Sequence, residues 1–122
     1  MKEHFLNRAL ENIKAAVLLF ENELYNASAN RAYYSAFHIA IAAILYNGTQ
    51  PIIDHRSVQS LFNDQHFNRK KVLPSKFKDY LSNLQVVRNT ADYKQGIGKK
   101  IAREQLKFAK EFIETVKSRI EE

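Results

Sequence analysis

Between residues 6 and 24, apolar side chains recur at Leu6, Leu10, Ile13, Val17, Phe20 and Leu24, alternately four and three positions apart. That rhythm keeps them on one stripe of a helix and predicts a long helix over residues 3 to 25. The polar stretch YNASAN interrupts the stripe, and Asn26 or Ser28 is suited to cap a second helix by accepting from its free amides. The second helix runs to Tyr46, where an Asn-Gly pair supplies the left-handed backbone that ends helices. Its segment NRAYYSAFHIAIAAIL is apolar on more than one face and so belongs at the centre of a bundle.

After the loop TQPIID, a shorter helical piece is expected over HRSVQSLFNDQHF, anchored by Val58, Leu61 and Phe62. A basic connection, NRKKVLP, follows. Pro74 and Ser75 then open a further helix that turns Phe77, Tyr80, Leu81, Leu84, Val87 and Ala91 inward, and KQGIGK stops it. The last helix carries Ala102, Leu106, Ala109, Ile113, Val116 and Ile120, again four and three apart. No segment alternates as a strand and no internal repeat is visible. The fold class is therefore all-α, a bundle of four main helices plus a short one. The stripes of the first and last helices suit near-parallel packing and are also suited to meet a second copy of the chain.

Composition narrows the picture. A chain of 122 residues is read as a single domain over 1–122, and three glycines with two prolines agree with long elements and few tight turns. The absence of cysteine excludes disulfides and thiolate metal sites. The four histidines form no helix-spaced pair with carboxylates of the kind zinc hydrolases use, there is no glycine-rich phosphate loop, and no serine sits in a nucleophile motif. Neither a metal nor another cofactor is expected. The opening residues are amphipathic and carry acids, unlike a signal peptide, and the longest apolar run, IAIAAILY, falls far short of the roughly 20 residues that span a membrane. A cytoplasmic protein without membrane association is expected.

The net charge is +6, and its placement is uneven. Residues 1–48 hold four bases and four acids, whereas residues 49–122 hold fifteen bases and nine acids. The excess concentrates in RKKVLPSKFK and between Lys94 and Lys110. Such a surface attracts nucleic acid or an acidic protein, or is simply solvated.

Two groups of residues could carry chemistry. Arg31 and His38 stand seven apart on one helical face with Tyr34 between them. This column reads either as a basic-aromatic strip for a phosphate and a base, or as a hydrogen-bonded ladder inside the bundle. The second group lies in VVRNTADYKQG: Arg88 and Asp92 are four apart, as are Asn89 and Tyr93. It reads either as an anion site, with the planar fork of Arg88 and neutral hydrogen bonds from Asn89 and Tyr93, or as an Arg88–Asp92 pair joining two helices.

The order of three blocks is more specific than any one of them. NRAYYSAFHIAIAAIL, then DHRSVQSLFNDQHF, then VVRNTADY resembles the HEPN family of small prokaryotic helical domains, over about Leu6 to Ile113. The resemblance implies an antiparallel bundle that commonly dimerises. Its members are often encoded beside a minimal nucleotidyltransferase as a toxin–antitoxin module, and many are metal-independent ribonucleases. The nuclease form pairs an arginine, followed by a polar residue, with a histidine after four to six intervening positions. Arg88 and Asn89 match that opening, but Tyr93 stands where the histidine would be. Arg-x-x-Ala-Asp-Tyr looks like the signature of a branch without the standard nuclease pair. Arg31 and His38 satisfy the bare spacing on a different helix.

The resulting expectation is a homodimeric, non-catalytic or weakly active partner of a nucleotidyltransferase. It would bind RNA or a nucleotide through Arg31, Tyr34, His38, Arg88, Asp92 and Tyr93. Arg31 and His38 are expected to face the patch of Arg88, Asp92 and Tyr93. The alternative is a ribonuclease toxin in which Arg88 and Asn89 hold the phosphate while Tyr93 or His38 moves the proton.

Overall fold

The stripe of the first helix breaks earlier than its rhythm implies, and the reason is a turn at Glu23. In the computed structural model, which describes residues 2–69, 73–93 and 96–121 (side chains excepted at 68, 69, 92, 93 and 121), helix α1 covers Lys2–Glu21. Glu23 adopts φ 63°. Its amide donates to the Phe20 carbonyl at 3.0 Å, and the Leu24 amide donates to the Leu19 carbonyl at 2.9 Å. This double closure normally employs glycine at the left-handed position. Leu24, the last residue of the expected stripe, leaves the helix and is exposed.

Helix α2 (Tyr25–Tyr46) therefore begins at once, without a side-chain cap. Asn26 and Ser28 are not its caps, because both lie inside it. Ser28 is fully buried and its Oγ donates to the Ala16 carbonyl at 2.8 Å, tying α2 to α1. The side-chain Oδ1 of Asn26 accepts from the Ile97 amide at 2.8 Å, tying α2 to the loop before the last helix. At its far end α2 stops as expected: Gly48 takes φ 84°, and the Thr49 amide returns to the Ile44 carbonyl.

Helix α3 (His55–Asn63) starts at Asp54, whose carboxylate accepts from the Ser57 amide at 2.8 Å. It buries Val58 and Phe62, and continues into a π-helical turn, Asp64–Arg69. Pro74 and Ser75 open a single 3-10 turn, Ser75–Phe77, rather than the next helix itself. The Lys78 amide already bonds three residues back to Ser75, and α4 (Tyr80–Tyr93) begins two residues later. Buried Phe77 anchors the turn, with Leu81, Leu84 and Ala91 following on the inner face of α4. Helix α5 (Lys99–Glu121) buries Ala102, Leu106, Ala109, Ile113 and Val116 as its spacing predicts, and also Phe112.

The fold is an all-α bundle of four long helices and a short one, with no strand among the described residues. Helix α2 is its axis and packs against α1, α3, α4 and α5. The core runs through Tyr33, Ile39, Ile41, Ile44, Phe62, Leu84 and Phe112, with the rings of Phe62 and Phe112 5.5 Å apart. Fully buried Ala9 and Ala16 set the seam of α1 against α2, while the larger residues of its stripe are only partly buried. The α1 and α5 stripes are thus largely consumed within the chain. Among the described residues the exposed large apolar side chains are Leu18, Leu24, Ile52, Ile53, Val86 and Ile101, of which only Leu24 belongs to either stripe. Among the described residues, no helix is long and apolar enough to cross a membrane.

Candidate functional site

Tyr34 sits where three helices meet. Its ring centroid lies 5.0 Å from the guanidinium carbon of Arg31, one turn earlier on α2, and 5.3 Å from that of Arg88 on α4. These are cation–π distances. Arg88 Nη2 also donates to the Tyr34 hydroxyl at 3.1 Å, and its Nη1 donates to Asn89 Oδ1 at 3.1 Å. The two arginines therefore converge on one phenol although their helices are far apart in sequence. The side chains of Asp92 and Tyr93, at the end of α4, lie outside the described residues, and with them the expected Arg88–Asp92 pair.

Arg31 is held by amides. Its Nε and Nη2 donate to Asn30 Oδ1, and its Nη1 donates to Asn12 Oδ1 on α1 at 3.0 Å. Asn12 in turn donates to the Arg8 carbonyl at 2.9 Å, and its Nδ2 stands 3.3 Å from His38 Nδ1. Because a guanidinium only donates, the oxygen of Asn12 must face Arg31 and its nitrogen must face His38. His38 Nδ1 is then an acceptor, which leaves the ring proton on Nε2.

His38 is turned toward α1, not toward α4. Its ring stacks on Phe5 with centroids 5.9 Å apart. This corrects the expectation that His38 faces the Arg88 patch: the imidazole fills the α1–α2 seam, and Arg31 alone of that pair meets Arg88 across Tyr34. Burial, followed by the charge of Arg8 and then those of Arg31 and His4, pushes the His38 pKa down to about 4. It is an uncharged imidazole at neutral pH.

Around these residues a cavity of about 530 Å³ opens between α1 and α2. His4, Arg8, Glu11 and Asn12 wall it on one side, and Arg31, Tyr34 and His38 on the other. Among the described residues neither Arg8 nor Arg31 has a carboxylate at ion-pair distance. The α1 contribution was readable and passed over: His4, Arg8 and Asn12 repeat every four residues, a polar stripe beside the apolar one.

The other face of the tyrosine pair holds His55, which spacing alone did not single out. Asp54, as the cap of α3, fixes His55 at the first helical position. There its Nδ1 is bonded to the hydroxyl of Tyr33, and its ring lies 4.9 Å from Phe37 and 6.2 Å from Tyr34. Burial and then the Arg88 charge lower its pKa. Burial raises that of Tyr33, so the phenol keeps its proton. Among the described residues no group of three or more His, Asp or Glu is arranged to hold a metal ion. The arrangement suits an anion: fixed guanidinium groups, neutral imidazoles and phenols, and a cavity with one carboxylate in its wall.

The HEPN domain family model matches residues 2–119. A 43-residue stretch, 35% of this chain, is 49% identical to a protein of Methanocaldococcus jannaschii that bears the name "Putative toxin". The stretch spans 32% of that protein's length.

Proposed function

The chain belongs to the HEPN family, and from that premise we propose that it is a dimeric, non-catalytic binding module for RNA or a nucleotide. In this reading it works in the cytoplasm as one half of a toxin–antitoxin pair with a minimal nucleotidyltransferase. The observation that carries the binding function is the convergence of Arg31 and Arg88 on Tyr34 beside the α1–α2 cavity. Guanidinium forks beside an aromatic face are what a phosphate-bearing strand requires. The toxin name of the partial relative supports the kind of module.

The chemistry argues against cleavage. Arg88 can hold a phosphate, but the family's motif places Tyr93 where an imidazole would move the proton. A phenol with a reference pKa of about 10 is poorly matched to that task at pH 7, against about 6.5 for histidine. His38 cannot replace it from where it lies, because its Nδ1 is committed to Asn12 and its ring to the α1 seam.

One observation favours a second reading, a metal-independent ribonuclease: the neutral imidazole of His55 lies close enough to Arg88 for that charge to depress its pKa. Purified protein incubated in EDTA with structured and single-stranded RNA separates the two. The expected result is salt-dependent binding that weakens in Arg88→Ala, with no cleavage by the wild type and cleavage gained in Tyr93→His. Cleavage by the wild type that is lost in both Arg88→Ala and His55→Gln would replace the binding module with the ribonuclease.

A further inference from the structure

We infer that the α1–α2 cavity is a pocket for a terminal phosphate, the 5′-phosphate of a nucleotide or of an RNA strand. The inference rests on the RNA- or nucleotide-binding reading above and specifies which part of the ligand this cavity takes.

Arg31 is the first reason. Three of its five N–H groups are spent on the amide oxygens of Asn30 and Asn12, which orient the guanidinium without neutralising it. Two N–H groups and the full positive charge remain. An arginine that served only to join helices would be expected to face a carboxylate, and here none of the described residues supplies one. Arg8 faces the same cavity from α1, likewise without a carboxylate partner among the described residues. Two guanidinium groups across one concavity, with no carboxylate of the described residues at ion-pair distance from either, form an anion site.

The shape selects a terminal group. Asn12 bridges from α1 to both Arg31 and His38 where it lines the cavity, and so ties the two helices together across it. A strand threading through would have to pass that tie, whereas a chain end would not. A phosphate monoester also carries nearly two negative charges near pH 7, against one for an internal diester, and so matches two arginines better. The volume of about 530 Å³ lies within the range of small-ligand sites and holds more than a bare phosphate.

Glu11 sets the polarity of the ligand. Its carboxylate in the wall repels a phosphate but accepts from a sugar hydroxyl or an exocyclic amine. In this pose the phosphate bonds Arg8 and Arg31, and Glu11, one turn from Arg8, accepts from the nucleoside. His38 completes the site: burial, with the charges of Arg8, Arg31 and His4, holds it neutral, and the Asn12 contact leaves its ring proton on Nε2 to donate. The next phosphate of a strand would fall to Arg88, across Tyr34.

The test uses the full chain and three probes: a single-stranded oligoribonucleotide with a 5′-phosphate, the same strand with a 5′-hydroxyl, and adenosine 5′-monophosphate. The 5′-phosphate is expected to tighten binding at least tenfold, and Arg8→Ala to abolish that preference. Glu11→Gln should strengthen it. Arg88→Ala should weaken both strands to a similar degree and keep their ratio. Equal affinity of the wild type for the two strands would overturn the terminal-phosphate pocket and leave RNA binding standing. Binding of the mononucleotide with neither strand bound would uphold the pocket and remove RNA from the proposed function. Failure of all three probes would overturn both.

Discussion

Arg88 Nη2 donates to the hydroxyl of Tyr34 at 3.1 Å, across 54 positions of sequence. The bond fixes how α4 lies on α2 and sets a cation over the ring that also carries Arg31. Tyr34→Phe removes the acceptor and keeps the ring. It is expected to lower the unfolding free energy by about 1 kcal/mol, the usual net worth of such a bond. Arg88→Lys should cost at least as much, because a lysine cannot keep both the Tyr34 and Asn89 bonds in one plane. Urea unfolding monitored by circular dichroism measures both. An unchanged midpoint in Tyr34→Phe would show the bond to be idle.

Acid should weaken the fold through its depressed histidines. The His38 pKa lies near 4 when folded and near 6.5 when unfolded, so between those values the unfolded chain binds more protons. Its contribution is complete above pH 6.5 and is lost as pH falls toward 4. His55, also lowered, acts in the same direction. The urea midpoint should therefore drop across this interval, and His38→Gln should make the drop shallower. An equal slope in that variant would mean that His38 takes up its proton in the folded protein at no cost.

The two glycines with positive φ are not equivalent. Gly48 and Gly96 adopt 84° and 87°, but a Cβ at Gly48 meets open space whereas one at Gly96 would stand 2.9 Å from Asn26 Nδ2. Gly48→Ala should cost about 1 kcal/mol, the penalty of the left-handed conformation. Gly96→Ala should cost more, because Asn26 must shift and its bond to the Ile97 amide is strained. Melting temperatures of the two variants rank them, and the reverse order would contradict this account.

A homodimer is expected, and the exposed apolar surface points to a seam away from the stripes of α1 and α5. With the α1 and α5 stripes packed inside the chain, the apolar surface left over includes Ile52 at 73%, Val86 at 62% and Ile53 at 55% exposure. The Gln59–Gln85 bond draws α3 to α4 next to Val86, and Ile52 and Ile53 lie just before α3, so the adjoining elements α3 and α4 carry the proposed seam. Sedimentation at micromolar concentration should give about twice 14.2 kDa, and Val86→Lys combined with Ile53→Lys should return the monomer. A wild type that stays monomeric at high concentration would refute the dimer.

The helices themselves were legible in the sequence. The four-three rhythm predicts α1 and α5, the apolar density of NRAYYSAFHIAIAAIL puts α2 at the axis, and Asn47-Gly48 marks its end. These signals are local, since periodicity and turn chemistry act within a few residues of one another. Where local preference was weak, tertiary contact decided. Glu23 takes a left-handed turn that a glycine would favour, and in doing so turns Asn26 and Ser28 from caps into ties to Ile97 and Ala16. The site divides in the same way. A seven-residue spacing settles that Arg31 and His38 share a face of α2, but the rotation of α2 in the bundle decides which neighbour that face meets. It meets α1, so Asn12 joins Arg31 to His38 and a cavity forms that neither helix contains alone. Arg88 and His55 reach the tyrosine pair only because α4 and α3 pack against α2. Helical period fixes direction around a single axis. The distance and angle between axes come from how the side chains of the whole core fill space together.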